Sequence, residues 1–220
     1  MKRIAGLLAF VIAAAGCSSP AKETVIAESQ DKHVQLLADT KVSGDMLSGV
    51  TVKIGENSKH FSWSNVTNDS YYPQIIREDL DQDAEPEIVI ILTQGYGTGV
   101  LDSEVHVLEE DFTEFEVQDP IAVVKEELKS TVSSKDGKKT YTLTYKDNTI
   151  TKEYKDEDAG MWFDEAAIGN IVTYRVDNQH LIAEVSAQAS PGLFVANVEA
   201  AFEAKNNKLE VSNLAIKEFE

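Results

Sequence analysis

Apolar and polar residues alternate with a period of two along most of this chain, the pattern of β-strands that bury one face. Val50–Ile54 alternates in this way, and residues 55–57 after it carry a Gly-Glu-Asn turn signal. Further alternating apolar positions are Tyr141, Leu143 and Tyr145, then Val172, Tyr174 and Val176, then Leu181, Ala183 and Val185, then Phe194, Ala196, Val198, Ala200 and Phe202. Short turn signals separate these segments, so the sequence predicts antiparallel meanders.

One segment departs from this alternation. Residues 87–92 read Glu-Ile-Val-Ile-Ile-Leu, and five apolar residues in a row predict a central strand that is covered on both faces. Asp119 and Pro120 open a short helix as its N-cap and first position. The pattern as a whole predicts a mainly β fold (α+β with one or two short helices), built of antiparallel meanders around the central apolar strand.

The N-terminus has the composition of a bacterial secretion signal. Lys2 and Arg3 precede an unbroken apolar run, Ile4–Ala15, and Cys17 follows Ala-Ala-Gly. This arrangement resembles a lipobox, which implies that the Cys17 thiol carries a diacylglycerol. We therefore expect a lipoprotein signal peptide at residues 1–16, the lipidated cysteine and a polar tether at 17–31, and a mostly β domain at 32–220 with a candidate boundary near residue 119. The expected location is the cell membrane, lipid-anchored and facing outside the cytoplasm.

Composition narrows the classes of partner. The chain has 220 residues and a formal net charge of −18, which disfavours nucleic acid and anionic lipid surfaces. Such a chain can hold divalent cations or bind a basic surface, or it can simply carry a solvated acidic exterior. Cys17 is the only cysteine, so no intramolecular disulfide can form. The lipid is the expected link to the membrane. An envelope protein or a glycan is the expected, unidentified partner.

An acidic loop carries the clearest chemistry. In residues 79–87, Asp-Leu-Asp-Gln-Asp-Ala-Glu-Pro-Glu, carboxylates stand at every second position. Ca²⁺ prefers six to eight oxygen ligands, and alternate acidic residues in a tight loop can converge on one point. The alternative is a solvated acidic turn without an ion, and one residue favours it: Ala84 stands at position six, where the chain must turn with positive φ and glycine is usual.

This loop resembles the calcium loop of integrin-type FG-GAP and VCBS repeats. The resemblance implies that Asp79, Asp81, Asp83 and Glu87 give side-chain oxygens to calcium and that Glu85 gives its backbone carbonyl.

A longer stretch, Asp79–Leu108, is similar to a family of uncharacterised cell-envelope lipoproteins of Bacillus-like bacteria. It contains Gly-Tyr-Gly-Thr-Gly at residues 95–99 and Val-His-Val at 105–107. No activity is established for that family, so the resemblance implies location and fold rather than a reaction.

Three weaker signals have structural alternatives. Residues 95–99 lack the following helix and the lysine that a phosphate loop needs, so no nucleotide site is expected, although Tyr96 at the tip is a candidate ligand contact. Trp162, beside several acids, is a candidate glycan contact or a core aromatic. His106, in mid-strand, is expected to be a hydrogen-bonded structural residue rather than a base.

The sequence shows no nucleophile elbow and no zinc spacing. We expect a non-enzymatic binding or scaffold module that calcium stabilises. The alternative is a cell-envelope hydrolase that uses a pair of carboxylates on glycan or peptide.

Overall fold

The computed structural model describes residues 23–40 and 44–219, which contain fifteen strands and one α-helix. The strands before the helix are β1 (Thr24–Glu28), β2 (Val34–Ala38), β3 (Met46–Ile54), β4 (Asn57–Val66), β5 (Gln74–Glu78), β6 (Glu87–Gly97), β7 (Val100–Leu108) and β8 (Glu116–Val117). After helix α1 (Pro120–Glu127) follow β9 (Lys129–Lys135), β10 (Lys138–Tyr145), β11 (Asn148–Lys155), β12 (Ala167–Asp177), β13 (His180–Ser190), β14 (Leu193–Lys205) and β15 (Lys208–Glu218). Single 3₁₀ turns lie at Asp69–Tyr71 and Asp156–Asp158. The predicted mainly β class is confirmed.

The strands form three sheets. The first is the four-stranded meander β1-β2-β3-β4, and the second is the three-stranded meander β11-β10-β9. The third has eight strands in the order β5-β6-β7-β12-β13-β14-β15-β8. Most neighbours are antiparallel, as short turns require, but β7 pairs with β12 and β8 pairs with β15 in parallel. These two parallel pairs join distant parts of the chain and were not predicted.

The eight-stranded sheet curls back on itself. The segment leading into β8 is hydrogen-bonded to β7. The Phe115 N–H donates to the Val107 carbonyl at 2.9 Å, and Glu114 forms an isolated antiparallel β-bridge with Leu108. Two residues later the same segment pairs with β15 at the far end of the sheet. The strands from β7 to β15 therefore enclose a concave core, in the manner of a small open barrel.

Helix α1 packs against the inside of this curl. Its N-cap is as predicted, since the Asp119 carboxylate accepts a hydrogen bond from the Ile121 N–H at 2.8 Å and Pro120 occupies the first turn. Val124 is fully buried in the core. Gly169 of β12 permits the close approach, because a Cβ there would lie 2.9 Å from the Ile121 side chain.

Strand β6 belongs to two cores. Val89 and Ile91 face the concave core beneath the helix, whereas Ile88, Ile90 and Leu92 face the four-stranded sheet. The prediction of a strand covered on both faces is confirmed. Within its own sheet β6 lies second from one end, and its second face is covered by the separate sheet β1–β4.

Two expected boundaries differ from the structure. Strand β1 at Thr24–Glu28 lies within the residues expected to be tether, so the folded domain begins before residue 32. A division near residue 119 would cut the concave core, which combines side chains from β6 and β7 with side chains from β12 to β15. The predicted signal peptide and the predicted lipidation site Cys17 lie outside the described residues. Within the described residues, no helix is long and apolar enough to span a bilayer.

Candidate metal centre

The acidic loop connects β5 to β6 and is held by its own aspartates. The Asp79 carboxylate accepts hydrogen bonds from the backbone N–H groups of Gln82 (2.7 Å) and Ala84 (3.2 Å). Asp83 accepts a further bond from the Glu85 N–H at 2.8 Å. The loop therefore folds around its aspartates, and the pairing of Glu78 with Glu87 closes it at the sheet.

The turn that the sequence pattern requires is present despite the alanine. Ala84 has φ of 76° and Gln82 has φ of 67°, both in the left-handed region. A residue with a Cβ in this region costs roughly 1–2 kcal/mol. The backbone therefore accepts strain at two positions to bring the carboxylates to one side.

Three of the five predicted loop acids converge. Asp79, Asp81 and Glu87 each place a carboxylate oxygen within 4.8 Å of the others, so this acidic cluster could hold a metal ion. Asp83 and Glu85 lie outside this group and are exposed. Among the described residues, no lysine, arginine or histidine forms an ion pair with any of the five loop acids. The negative charge of the loop is thus not balanced by a bound side chain.

Glu87 is the unusual member of this group. Its side chain is fully buried, its Oε2 accepts the Leu80 N–H at 2.5 Å, and its Oε1 has no hydrogen-bond partner within the described chain. Burial raises the pKa of the Glu87 carboxyl to about 7, and the charges of Asp81 and Glu109 act in the same direction. A buried carboxylate beside two others is costly unless a proton or a cation joins it. Protonation of Glu87 or a cation bound beside it would relieve this cost.

Glu109 is a nearby acid that sequence reasoning missed. Burial raises the pKa of its carboxyl above the ordinary range, and the charges of Asp81 and Asp83 raise it further. Ile88 pairs with Leu108 in the β6–β7 ladder, which places Glu109 beside Glu87 at the same end of the sheet. A correct prediction of this hairpin register would have found it.

A separate ionic network lies next to the loop and joins two sheets. The Arg77 guanidinium binds Asp31 and also Glu110, the latter at 2.6 Å, and His33 Nε2 lies 2.9 Å from Glu110. The Ser29 hydroxyl, the His33 N–H and Arg77 hold the pKa of Asp31 well below its usual range. Both terminal nitrogens of Arg77 are paired with these acids, although its Nε has no hydrogen-bond partner, and the guanidinium forms no ion pair with the loop.

The other candidate residues lie elsewhere. Tyr96 is at the opposite end of β6, nine residues from Glu87 and therefore about 30 Å away along the strand. Trp162 packs against the rings of Tyr141 and Tyr154, and its Nε1 donates to the Asp156 carbonyl at 3.3 Å. These contacts favour the structural interpretation of Trp162.

His106 is also engaged structurally. Its ring is buried, stacks on Trp63 with centroids 3.9 Å apart, and has Nδ1 2.7 Å from the Glu114 carboxylate. The strand face that carries it packs against the four-stranded sheet, so His106 helps to join the two sheets rather than lining an open site.

Comparison of the chain with protein-family models, curated proteins and solved structures finds no match. The similarity to envelope lipoproteins and to FG-GAP and VCBS loops therefore stays a prediction.

Proposed function

We propose that this chain is a lipid-anchored, extracytoplasmic lipoprotein whose β domain binds calcium and acts as a non-enzymatic binding or scaffold module. One observation carries the calcium assignment: the fully buried Glu87 carboxylate, with Oε1 unpartnered, converges with Asp79 and Asp81. A divalent cation would satisfy the unpartnered oxygen and offset the mutual repulsion of three carboxylates. The acidic cluster alone would not distinguish a site from a solvated turn.

The donor set favours calcium over other metals. The converging ligands are carboxylate oxygens, the hard donors that Ca²⁺ and Mg²⁺ prefer, whereas zinc sites use nitrogen and sulfur. Calcium tolerates irregular geometry and six to eight oxygens, and water can supply the remainder. Magnesium requires a near-ideal octahedron, which a loop with strained residues at Gln82 and Ala84 is less suited to provide.

The sequence of the N-terminus supports the anchor. Strand β1 begins at Thr24, seven residues after Cys17, and a chain of seven residues spans at most about 25 Å. A domain attached at Cys17 would therefore stay close to the membrane surface, which favours an envelope protein or glycan as partner.

Fractionation of cells tests the anchor. We expect the wild-type chain in the membrane fraction, and Cys17→Ser released from it with unchanged fold. Retention of the Cys17→Ser chain in the membrane would show that the lipobox interpretation is wrong.

Thermal unfolding of the purified full chain in detergent tests the calcium site. Calcium at about 100 times its dissociation constant should stabilise the fold by about 2.7 kcal/mol relative to chelator. Asp81→Asn should abolish this effect, whereas Glu85→Gln, an exposed loop acid outside the convergent group, should retain it. An equal melting temperature in calcium and in chelator would remove the metal from the proposal.

The hydrolase alternative has less support from the geometry. It needs two carboxylates that meet in an open cleft, one of them with a raised pKa. Glu87 has the raised pKa, but its side chain is closed off from solvent. A cavity of about 550 Å³ elsewhere in the described residues is lined by Lys125, Phe163 and Asp164 and their neighbours, not by the acidic cluster.

A further inference from the structure

Four of the seven tyrosines gather at the end of the large sheet that lies away from the acidic loop. They are Tyr71 and Tyr72, from the connection between β4 and β5, Tyr96 at the end of β6 and Tyr174 of β12. Tyr71, Tyr72 and Tyr174 line a cavity of about 120 Å³, and we call it the tyrosine cavity. Ile91 and Thr93 of β6 form part of its floor, and Ile91 also belongs to the concave core. The cavity thus borders that core, and clefts beside the cores of β-barrels are frequent ligand sites.

The tyrosine cavity is uncharged in a highly charged protein. Charged residues make up 26% of the chain, yet none is among the ten residues that line this cavity. Four larger cavities of the described chain each include charged side chains. Asp102 and Glu104 lie close enough to act on the Tyr174 hydroxyl from outside the lining. Their charge disfavours an anionic ligand, so the cavity suits a neutral one.

The polar groups of the lining have no side-chain partners of their own. Gln74, Thr93, Ser103 and Thr173 are among the residues that line the cavity, and each carries an amide or a hydroxyl. Among the described residues, none of these groups, and no hydroxyl of the three lining tyrosines, makes a side-chain hydrogen bond. By contrast, the hydroxyls of Tyr141 and Tyr154, in the core of another sheet, donate to backbone carbonyls. Unpaired polar side chains are therefore available at the tyrosine cavity.

An exposed ring extends this surface. The Tyr96 ring is 45% exposed, stacks on Tyr71 with centroids 4.2 Å apart, and has its hydroxyl 3.1 Å from the Asn68 amide. Stacking and the hydrogen bond fix the orientation of the ring before any ligand arrives, which lowers the entropy lost on binding. An exposed, oriented aromatic face offers apolar contact to the C–H face of a ring-shaped ligand.

From this juxtaposition of oriented tyrosines with unpaired hydroxyl and amide groups, we infer that the tyrosine cavity and Tyr96 bind a neutral sugar unit of a surface polysaccharide. Sugars present apolar C–H faces and many uncharged hydroxyls. The exposed Tyr96 ring can contact an apolar face, and the unpaired hydroxyl and amide groups of the cavity can form hydrogen bonds with the sugar hydroxyls. The volume is below the roughly 300–1,000 Å³ of pockets that enclose drug-sized ligands. The site therefore receives one ring of a longer chain, which continues over Tyr96. This inference rests on the proposed binding role of the domain, but it does not require calcium.

Ligand-observed saturation-transfer NMR tests the inference with the purified full chain in detergent. The probes are cellotetraose, maltotetraose, mannotetraose and chitotetraose at millimolar concentration, with tetragalacturonate as a charged comparison. We expect at least one neutral tetrasaccharide to bind and the charged one not to. Absence of saturation transfer to all four neutral probes, or equal transfer to tetragalacturonate, would overturn the inference.

Variants then locate the site. Tyr96→Ala and Tyr174→Phe should each weaken binding by about fivefold, the effect of one lost contact or hydrogen bond. Tyr145→Phe, a tyrosine outside the cavity, is the matched control and should bind normally. Unchanged affinity in both cavity variants would refute the location.

Repeating the titration in chelator and with Asp81→Asn separates this inference from the calcium site. Sugar binding should persist in both conditions even if the loop holds no metal. Loss of binding in chelator would contradict the independence of the two sites.

Discussion

Replacing Glu87 with glutamine removes the buried charge at the acidic cluster while keeping the size of the side chain. The glutamine oxygen can still accept the Leu80 N–H, so the loop keeps its internal bond. The wild-type carboxyl has a pKa of about 7 in the folded protein against an ordinary 4.5. At about 1.4 kcal/mol per pKa unit, this difference corresponds to about 3 kcal/mol.

The sign follows from proton linkage. Between pH 4.5 and 7, the folded protein binds the Glu87 proton more tightly than the unfolded chain does. The contribution of Glu87 to the free energy of unfolding is therefore complete below pH 4.5. It falls as the pH rises through that window and is lost above pH 7. In chelator, wild type should lose about 3 kcal/mol relative to Glu87→Gln across the window. Calcium should reverse the order at neutral pH, because the ionised carboxylate then has a partner that glutamine cannot replace.

Urea unfolding at a series of pH values, followed by tryptophan fluorescence, measures this difference. Comparing the two proteins cancels the contributions of titrating groups that do not interact with Glu87. Glu85→Gln provides the control, since that acid is exposed and its variant should track the wild type. Parallel stability profiles for wild type and Glu87→Gln from pH 4 to 8 would refute the reasoning.

Three further predictions concern the fold. Asp119→Ala removes the N-cap of α1 and should lower the free energy of unfolding by about 1 kcal/mol in urea titrations. Ile90→Ala should cost about 2–5 kcal/mol by the same measurement, because Ile90 is fully buried between β6 and the four-stranded sheet. Gly99→Ala should lower the melting temperature, since Gly99 has φ of 70° and an added Cβ would lie 2.9 Å from the Gly192 nitrogen. Gly97→Ala, which has open space around it, should have a smaller effect, and equal effects of the two alanines would contradict the role of this close approach.

Alternation of side chains predicted most strands because each strand buries one face, and this is a local property. It missed β1, whose only fully buried side chain is Ile26, so too little of the strand is apolar to give a clear period. The apolar run of β6 indicated that both of its faces are buried, but it did not reveal that a second sheet covers one of them. The parallel pairs β7–β12 and β8–β15 depend on long-range closure, which short turn signals do not encode.

The candidate site shows the same limit. Regular spacing identified the loop acids, because a ligand loop is contiguous in sequence. Glu109 comes close to the acidic cluster only through strand pairing, and the residues of the tyrosine cavity come from several strands. Neither therefore has a local sequence pattern that could be recognised. For Trp162 the sequence left a glycan contact and a core aromatic open, and its contacts with the rings of Tyr141 and Tyr154 favour the latter.

The double membership of β6 also has a consequence for local unfolding. Its odd-numbered and even-numbered side chains are committed to different cores, so neither core can open without freeing half of the same strand. The two layers should consequently unfold as one cooperative unit, with no intermediate that retains only one of them. Amide hydrogens in the middle of β6 should exchange at the rate set by global unfolding. Amide hydrogens of the strands that pack on its two faces should exchange at the same rate.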